Sequence, residues 1–428
     1  MNFNGLSIDQ APPISAPLRF FLTAPIFAII AGFFILFSDA SSLMNRFSID
    51  SIVVVHAITI GFIGFIILGA LTQMLPVLAG VKIPRVLGAT SLSHILLVFG
   101  LLFMFMGLYF DNSFYNTLAF IGLGSGFSIL IIAIGLAILK VKNFTATVIG
   151  MAISLVFSVF VVLMGLFLLY AYISKESSQI HFIVANIHSV WGIFGFGGIL
   201  IIGVAFQVLP MFYVAPKFKK FCKKRVTSLI STGLVLWLVL NLFMESYAFI
   251  SKIWIATFFL AFSVAVWNKL NKRRRSVSDI TIWYWRSSST FLVFGSFLWV
   301  LDEYFSGEYI VVVAILIGGG FILSTMIGML YKIIPFLVWF HLNGSGYMSI
   351  PTMNEMINKN LAKAQFFLFI ISLLGFIASF FFPWYLEIFA FTFILSMVIL
   401  QFNIIMPVLI YRKTKKTKPD FDMSAFAS

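Results

Sequence analysis

Apolar residues fill this chain in long runs, which short polar or Pro- and Gly-containing segments separate. Each run reaches the roughly 20 residues that a helix needs to cross the hydrocarbon core of a bilayer. The pattern therefore predicts an all-α integral membrane fold with twelve transmembrane helices. The predicted spans are residues 17–38, 51–79, 88–109, 114–139, 146–173, 180–214, 226–246, 249–268, 287–304, 309–340, 362–383 and 385–411.

Composition agrees with this pattern and excludes a water-soluble domain. Apolar residues make up 61% of the 428, charged residues only 10%, and the mean hydropathy is +1.08. Twelve spans and their connections use nearly the whole length, so residues 1–428 are expected to form a single transmembrane domain. The lone Cys222 excludes a disulfide within the chain, a C-x-x-C-H attachment for haem, and a cysteine metal cluster.

The distribution of charge predicts the orientation. The chain carries 28 Lys and Arg against 14 Asp and Glu, a net charge of +14 that in a soluble protein would suggest nucleic acid as a partner. Most of these bases follow even-numbered spans or lie in the tail at 412–428, and only Arg46, Lys175 and Lys252 lie in the other connections. By the positive-inside rule, both termini and the even-numbered connections are expected to be cytoplasmic. The expected partners of these bases are membrane lipids, with no nucleic acid required.

The N-terminal residues show neither a cleavable signal pattern nor a transit peptide. With the charge pattern, this favours the inner (plasma) membrane of a bacterium.

A short pattern, G-x-x-x-[QK]-x-x-P, occurs three times in the chain. The copies are Gly69–Pro76, Gly203–Pro210 and Gly328–Pro335, at the ends of predicted spans two, six and ten. Successive prolines are therefore separated by four spans each time. The sequence predicts a pseudo-threefold repeat of four-helix units, approximately 17–140, 146–268 and 287–411.

The shared spacing within these copies allows two interpretations. Proline kinks a helix and frees a carbonyl, and glycine allows close helix packing, so the pattern can be read as purely structural. Amide or ammonium side chains inside a membrane can also belong to a proton path. The candidate residues for either role are Gln73, Pro76, Gln207, Pro210, Lys332 and Pro335.

Histidines supply the other candidate chemistry. Of the five in the chain, His56 lies in the first turns of span two, and His181 and His188 lie in the first turns of span six. The interval from His56 to Pro76 is nearly the same as the interval from His188 to Pro210, so the two histidines occupy nearly equivalent positions. An ionisable residue inside a membrane is a functional candidate by default.

Span six places both of its histidines on one stripe with Gly192 and Gly195, because these four residues are separated by nearly whole numbers of helical turns. The two histidines are about 10 Å apart along the axis, too far to share one small metal ion. They are therefore candidates to contact different parts of one large planar cofactor lying against the glycines, or to bind two centres. The alternative is that they face water or headgroups at the interface.

Three four-helix units with histidines near the outer ends of spans two and six resemble subunit I of the haem-copper oxidases. The segments His56–Gly64 (HAITIGFIG) and Asn186–Gly195 (NIHSVWGIFG), with the Q-x-x-P ends, resemble the divergent members that include the NnrS family. The resemblance implies a haem, of b type, and adds copper as a second candidate cofactor. His56 matches the axial ligand of the low-spin haem in span two, and His188 lies where the family has its span-six copper ligand.

The sequence also departs from that family. Residues 308–340 and 226–246 contain no histidine, although the oxidases carry ligands in spans ten and seven. No Asp or Glu lies at the middle of a predicted span, which disfavours proton pumping. The resemblance therefore implies a protein with this scaffold that lacks a complete binuclear centre.

Three functions follow as hypotheses. The leading one is haem-dependent electron transfer in respiration or nitric-oxide metabolism, with a cytochrome or a quinol as donor. Its cofactor ligands would be His56, His188 and His181, with His188 and His181 also the candidates for a separate metal. The second is a membrane transporter or a metal-delivery or assembly protein without haem, since internal repeats are common in carriers. The third is a structural subunit of a respiratory complex that holds no cofactor.

Overall fold

A computed structural model describes residues 10–274 and 279–421, and all regular structure within these ranges is helical. Arg275 of the basic connection and the last seven residues of the tail at 412–428 lie outside the described residues. The long helices of the described part are α1 (Ser15–Phe37), α2 (Ile49–Ala79), α3 (Val86–Tyr109), α4 (Ser113–Ile138), α5 (Ala146–Ser174), α6 (Gln179–Tyr213), α7 (Lys220–Phe243), α8 (Ala248–Asn271), α9 (Ile280–Leu301), α10 (Ile310–Asn343), α11 (Lys359–Phe381) and α12 (Leu386–Thr414). Shorter helical pieces are Ala40–Met44, Glu245–Tyr247 and Pro383–Tyr385.

Eleven of the long helices in the described ranges are long and apolar enough to cross a membrane, and α9 is the exception. The prediction of an all-α, multi-pass membrane protein is therefore confirmed. The first half of α9 contains Arg286, followed by the hydroxyl side chains of residues 287–290. This helix begins at Ile280, ahead of the predicted start at 287, because Asp279 caps it: its Oδ1 accepts the N–H groups of Thr281 at 3.1 Å and Ile282 at 3.3 Å.

Three helices, α2, α6 and α10, lie inside a ring formed by the others. Around the ring, each of α1, α3, α4, α5, α7, α8, α9, α11 and α12 contacts the next, and α12 contacts α1 again. The inner helices are the most buried of the candidate spans. They are also the helices that end in the repeated Gly/Pro pattern, so this pattern marks the centre of the bundle.

Burial along the inner helices changes with depth. In α10, every residue from Gly320 to Pro335 is buried, and α2 and α6 have similar buried stretches at residues 61–69 and 194–203. Toward the N-terminal end of each helix the residues become partly exposed. The inner helices are therefore buried most completely in their middle and are more open toward their N-terminal ends.

Each inner helix contains a π-helical segment, Ala57–Gly64 in α2, Trp191–Gly198 in α6 and Ile315–Leu323 in α10. All three segments end at the same sequence distance before the proline of their Gly/Pro pattern. A π-helix is rare and is found disproportionately at functional sites. Because the spacing to the proline is the same, the three segments lie at the same depth along their helices, where the buried stretches begin.

One glycine in or at the edge of each π-helical segment packs on an aromatic ring of the preceding helix, and it stands at the same position relative to the proline in all three copies. A Cβ on these glycines would come within 2.5, 2.8 and 2.5 Å of that ring's side chain, so only glycine fits. The pairs are Gly61 with Phe27, Gly195 with Phe157, and Gly320 with Phe291. The first glycine of the Gly/Pro pattern also contacts the preceding helix, at Phe21, Gly150 and Tyr284 respectively.

Candidate functional site

The structure brings His56 of α2 and His188 of α6 together. Their ring centroids are 6.2 Å apart and the ring planes differ by 20°. His56 directly precedes the π-helical segment of α2, and His188 precedes that of α6 by less than one turn. Both imidazoles are half-buried. The nearly equivalent positions seen in the sequence thus correspond to a contact between two inner helices.

Hydrogen bonds orient the two imidazoles in the same way. The Nδ1 of His56 lies 2.7 Å from the carbonyl oxygen of Ile52, and the Nδ1 of His188 lies 3.0 Å from the carbonyl oxygen of Val161 on α5. A carbonyl oxygen only accepts, so each Nδ1 is the protonated nitrogen that donates. Each Nε2 of the neutral rings then carries a free lone pair, and within the described residues neither Nε2 has a hydrogen-bond partner.

This is the pattern of a metal-binding histidine. A ligating imidazole normally donates its other ring N–H to a carbonyl or carboxylate, which fixes the tautomer and the ring orientation. The ring separation also fits. A metal–nitrogen bond of about 2 Å would place each ring centre about 3 Å from the metal, so the observed separation is within the reach of a single metal held by both rings.

The described residues provide two nitrogen ligands for a metal at this site, the Nε2 atoms of His56 and His188. Within residues 10–274 and 279–421, no group of three or more His, Cys, Asp or Glu side chains is placed to hold a metal ion. A closed tetrahedral site needs four ligands. The pair therefore suits a metal whose other ligands come from a macrocycle, or a metal with only two ligands.

Helix α5 covers the side of α6 that carries the glycines. A Cβ on Gly195 would lie 2.8 Å from the ring of Phe157, and one on Gly192 would lie 3.8 Å from Val161. The flat glycine surface expected from the sequence is therefore occupied by protein. These glycines allow α5 to pack against α6, which in turn brings the Val161 carbonyl to His188.

His181 has different partners from His188. It lies in the first turn of α6, where its Nδ1 accepts the backbone N–H of Ser178 at 2.8 Å and so caps the helix. Its ring stacks on Phe167, with a centroid separation of 4.8 Å.

The remaining histidines, His94 and His341, lie toward the opposite end of the bundle. The Nε2 of His94 is 2.9 Å from the hydroxyl of Thr23, and the ring packs edge-on against Phe20, so His94 joins α3 to α1. His341 lies near the end of α10, and its Nε2 is buried without a partner among the described residues.

The polar residues of the Gly/Pro pattern are placed differently in the three helices. Gln73 is buried and its Oε1 has no hydrogen-bond partner in the described chain, whereas Gln207 is half-buried. Lys332 is 5% exposed, and its Nζ forms an ion pair with Asp279 at 3.1 Å. The same Nζ lies 6.0 Å from the ring centroid of Phe212. Pro76, Pro210 and Pro335 are all within helices.

Sequence reasoning missed a buried polar network beside Lys332. The hydroxyl of Tyr284 donates to Oε1 of Gln365, the hydroxyl of Tyr331 donates to the same oxygen at 3.3 Å, and Nε2 of Gln365 donates to Ser396 at 3.0 Å. These residues come from α9, α10, α11 and α12. A polar residue within each apolar run was visible in the sequence, but the sequence does not show which of them meet.

No protein-family model matches the chain, and no curated protein matches it significantly.

Proposed function

We propose that this chain is a haem-binding integral membrane protein in which His56 and His188 would hold one haem iron. The observation that carries the proposal is the His56–His188 pair. Its ring centroids lie 6.2 Å apart, and both Nδ1 atoms are engaged by backbone carbonyls, which leaves two Nε2 lone pairs for a metal. The donor set fits a haem, because the porphyrin supplies the other four nitrogens that the protein does not need to provide.

When bound, a haem held by two imidazoles would supply one-electron redox chemistry. The role of this chain's own residues would be to hold the haem and to orient the two imidazoles that bind it. The carbonyls of Ile52 and Val161 orient the two imidazoles, and the buried stretches of the inner helices separate the pair from the C-terminal ends of those helices. The proposed process is electron transfer in respiration or nitric-oxide metabolism, with a cytochrome or a quinol as donor and without a complete binuclear centre.

The proposed architecture is that of haem-copper oxidase subunit I: twelve spans in three four-helix units, at about 17–140, 146–268 and 287–411. Three recurring features support it. The second helix of each unit lies inside the ring, contains a π-helical segment at the same distance from its proline, and packs a glycine on an aromatic ring of the first helix. The charge distribution supports placing both termini in the cytoplasm of a bacterium, with the chain in the inner membrane.

A second candidate function uses the same pair without haem. Two imidazole nitrogens with no third ligand among the described residues also suit a single copper(I) ion. Such a site would belong to a metal-delivery or transport protein. The two candidates differ in the optical spectrum and in the metal content of the purified protein.

The test is an optical spectrum of the detergent-purified protein, air-oxidised and dithionite-reduced, with a pyridine haemochrome assay and a metal analysis. The proposal expects a Soret band, sharp reduced α and β bands, and near-stoichiometric haem. His56→Ala and His188→Ala should each remove the low-spin spectrum, whereas His94→Ala, the matched control, should keep it.

Colourless protein from haem-sufficient cells would overturn the haem assignment, and near-stoichiometric copper in that protein would establish the second candidate. Retention of an unchanged haem spectrum in both His56→Ala and His188→Ala would show that haem binds elsewhere.

A further inference from the structure

The two imidazoles of the pair are oriented by different parts of the molecule. His56 donates to Ile52, one turn earlier in the same helix. His188 donates to Val161, which belongs to a different helix, α5. The orientation of His56 is therefore built into α2, whereas that of His188 depends on how α5 packs against α6.

The Val161 carbonyl is available to His188 because of the residue that follows it by one turn. In an α-helix, the carbonyl of residue 161 points toward residue 165, so a side chain at 165 stands beside that oxygen. Residue 165 is glycine. A Cβ built there would lie 3.1 Å from Cε1, 3.7 Å from Nδ1 and 3.9 Å from Nε2 of His188. The imidazole thus occupies the space that a side chain at position 165 would fill.

We propose that Gly165 is a positioning residue for the metal site: together with the Val161 carbonyl it holds His188 in the Nδ1-protonated tautomer, with Nε2 free to ligate. The inference rests on the proposed function for the identity of the ligand. The tautomer and orientation of His188 can be measured without any metal.

The first test measures haem binding by Gly165→Ala and Gly165→Leu. Alanine requires the ring to move by a few tenths of an ångström, and leucine fills its place. Partners that orient a metal-ligating histidine change metal affinity by about 10- to 100-fold. We expect haem affinity to fall about tenfold in Gly165→Ala. In Gly165→Leu, the reduced spectrum should change from a six-coordinate to a five-coordinate form, as in His188→Ala.

Gly124→Ala is the matched control. Gly124 lies on α4, and a Cβ there would lie 3.2 Å from Leu166, which follows Gly165 on α5. The control therefore introduces a contact about as close as the one between a Cβ at position 165 and His188, but between α4 and α5. The control should keep wild-type haem affinity and spectrum. If both Gly165 variants match wild type in affinity and spectrum, the inference is wrong.

The second test separates this inference from the proposed function. Solid-state NMR of ¹⁵N-histidine-labelled, metal-free protein in lipid reports which ring nitrogen carries the proton, and the His188 signal is identified by its loss in His188→Ala. We expect the Nδ1–H tautomer in wild type and Gly124→Ala, and its loss in Gly165→Leu. A protein that binds no haem but shows this change would overturn the proposed function alone. An unchanged tautomer in Gly165→Leu would overturn the positioning role, whether or not haem binds.

Discussion

Gly195 of α6 lies so close to the ring of Phe157 on α5 that a Cβ would approach Cγ and Cδ1 of that ring at 2.8 Å. Because the contact is to the body of the ring rather than to a flexible end, Phe157 has to shift as a whole to admit a methyl group. The same relationship joins Gly61 to Phe27 and Gly320 to Phe291. The contact is thus a recurring joint between the first and second helices of each proposed unit.

Gly195→Ala should therefore destabilise the protein, by about 1–3 kcal/mol, because overpacking a tight contact forces side chains and backbone to move. Thermal unfolding of the detergent-solubilised protein measures the change. Gly88→Ala is the control, since a Cβ there meets nothing within 4 Å and alanine is the better helix former. In the double variant Gly195→Ala, Phe157→Ala the clash is absent, so it should be no less stable than Phe157→Ala. Equal stability of Gly195→Ala and Gly88→Ala would show that the contact between Gly195 and Phe157 is not tight enough to exclude a methyl group.

Eleven of the twelve predicted spans correspond to helices of the described residues that are long and apolar enough to cross a membrane, because the bilayer sets the length of each apolar run. The prediction failed at the start of α9, where Arg286 resembles part of a basic connection, while the capping Asp279 begins the helix earlier. The nearly equivalent positions of His56 and His188 were visible in the sequence from their spacing to the prolines. The structure shows that the two rings also lie next to each other. The recurring glycine of the π-helical segments was also visible at a fixed spacing from each proline, but its partner ring comes from another helix and cannot be inferred from spacing.

Other features of the site depend on tertiary structure alone. A π-helical segment has no clear signal in local sequence, so its recurrence in the three inner helices could not be predicted. The ion pair of Lys332 with Asp279 joins a residue inside a span to one in a connection far earlier in the chain. Nothing in the sequence around either residue indicates where the other lies, so the pair could not be predicted.

His181 offers a prediction that separates a helix cap from a ligand. Its Nδ1 accepts the N–H of Ser178, so His181→Ala should cost about 1 kcal/mol of stability, as the loss of a cap does. Haem content and spectrum should stay at the wild-type level, because His181 contacts Ser178 and Phe167 rather than His188. The ratio of haem to protein and the unfolding midpoint check this together. Loss of the low-spin spectrum, as expected for His188→Ala, would instead identify His181 as a ligand.

Gln365 is the centre of the buried network between α9 and α12. Replacing it by leucine leaves the hydroxyls of Tyr284 and Tyr331 without their acceptor, and an unsatisfied buried polar group costs about 1–3 kcal/mol. We expect Gln365→Leu to lower stability by about 2 kcal/mol or more in a thermal unfolding assay.

The matched control for this change is Gln401→Leu. Gln401 makes one hydrogen bond, from Nε2 to the carbonyl of Leu22 at 3.1 Å, and its buried Oε1 has no partner among the described residues. Losing that side chain removes one bond and one unsatisfied acceptor, so the net change should be small. A loss in Gln401→Leu as large as that in Gln365→Leu would show that the network adds nothing beyond an ordinary buried amide.

The ion pair of Lys332 and Asp279 predicts that the stability of the folded protein depends on both residues together. Asp279→Asn keeps the helix cap, because asparagine caps as well as aspartate, but leaves the buried ammonium of Lys332 without its counter-charge. Stability should fall by about 1–3 kcal/mol, less than for a fully buried pair because the Asp279 side chain is 29% exposed.

The double variant tests the pair directly. Lys332→Gln introduces the residue found at this position of the pattern in the other two copies, and with Asp279→Asn it removes both charges. The double variant should therefore recover most of the stability lost in Asp279→Asn, as a double-mutant cycle measured by thermal unfolding would show. Losses that simply add would mean that the two charges do not interact in the folded protein.

The orientation of the chain can be tested with Cys222, the only cysteine in the sequence. It lies in the first turn of α7 among basic residues and is half-buried. If the even-numbered connections are cytoplasmic, a membrane-impermeant maleimide should label Cys222 only after the cells are opened. The matched probe is Tyr304→Cys in a Cys222→Ser background, since Tyr304 is 86% exposed and follows α9 at the opposite end of the bundle. That variant should be labelled in intact spheroplasts. The reverse pattern would invert the orientation and place the His56–His188 pair nearer the cytoplasm, so its electron donor would have to be sought there.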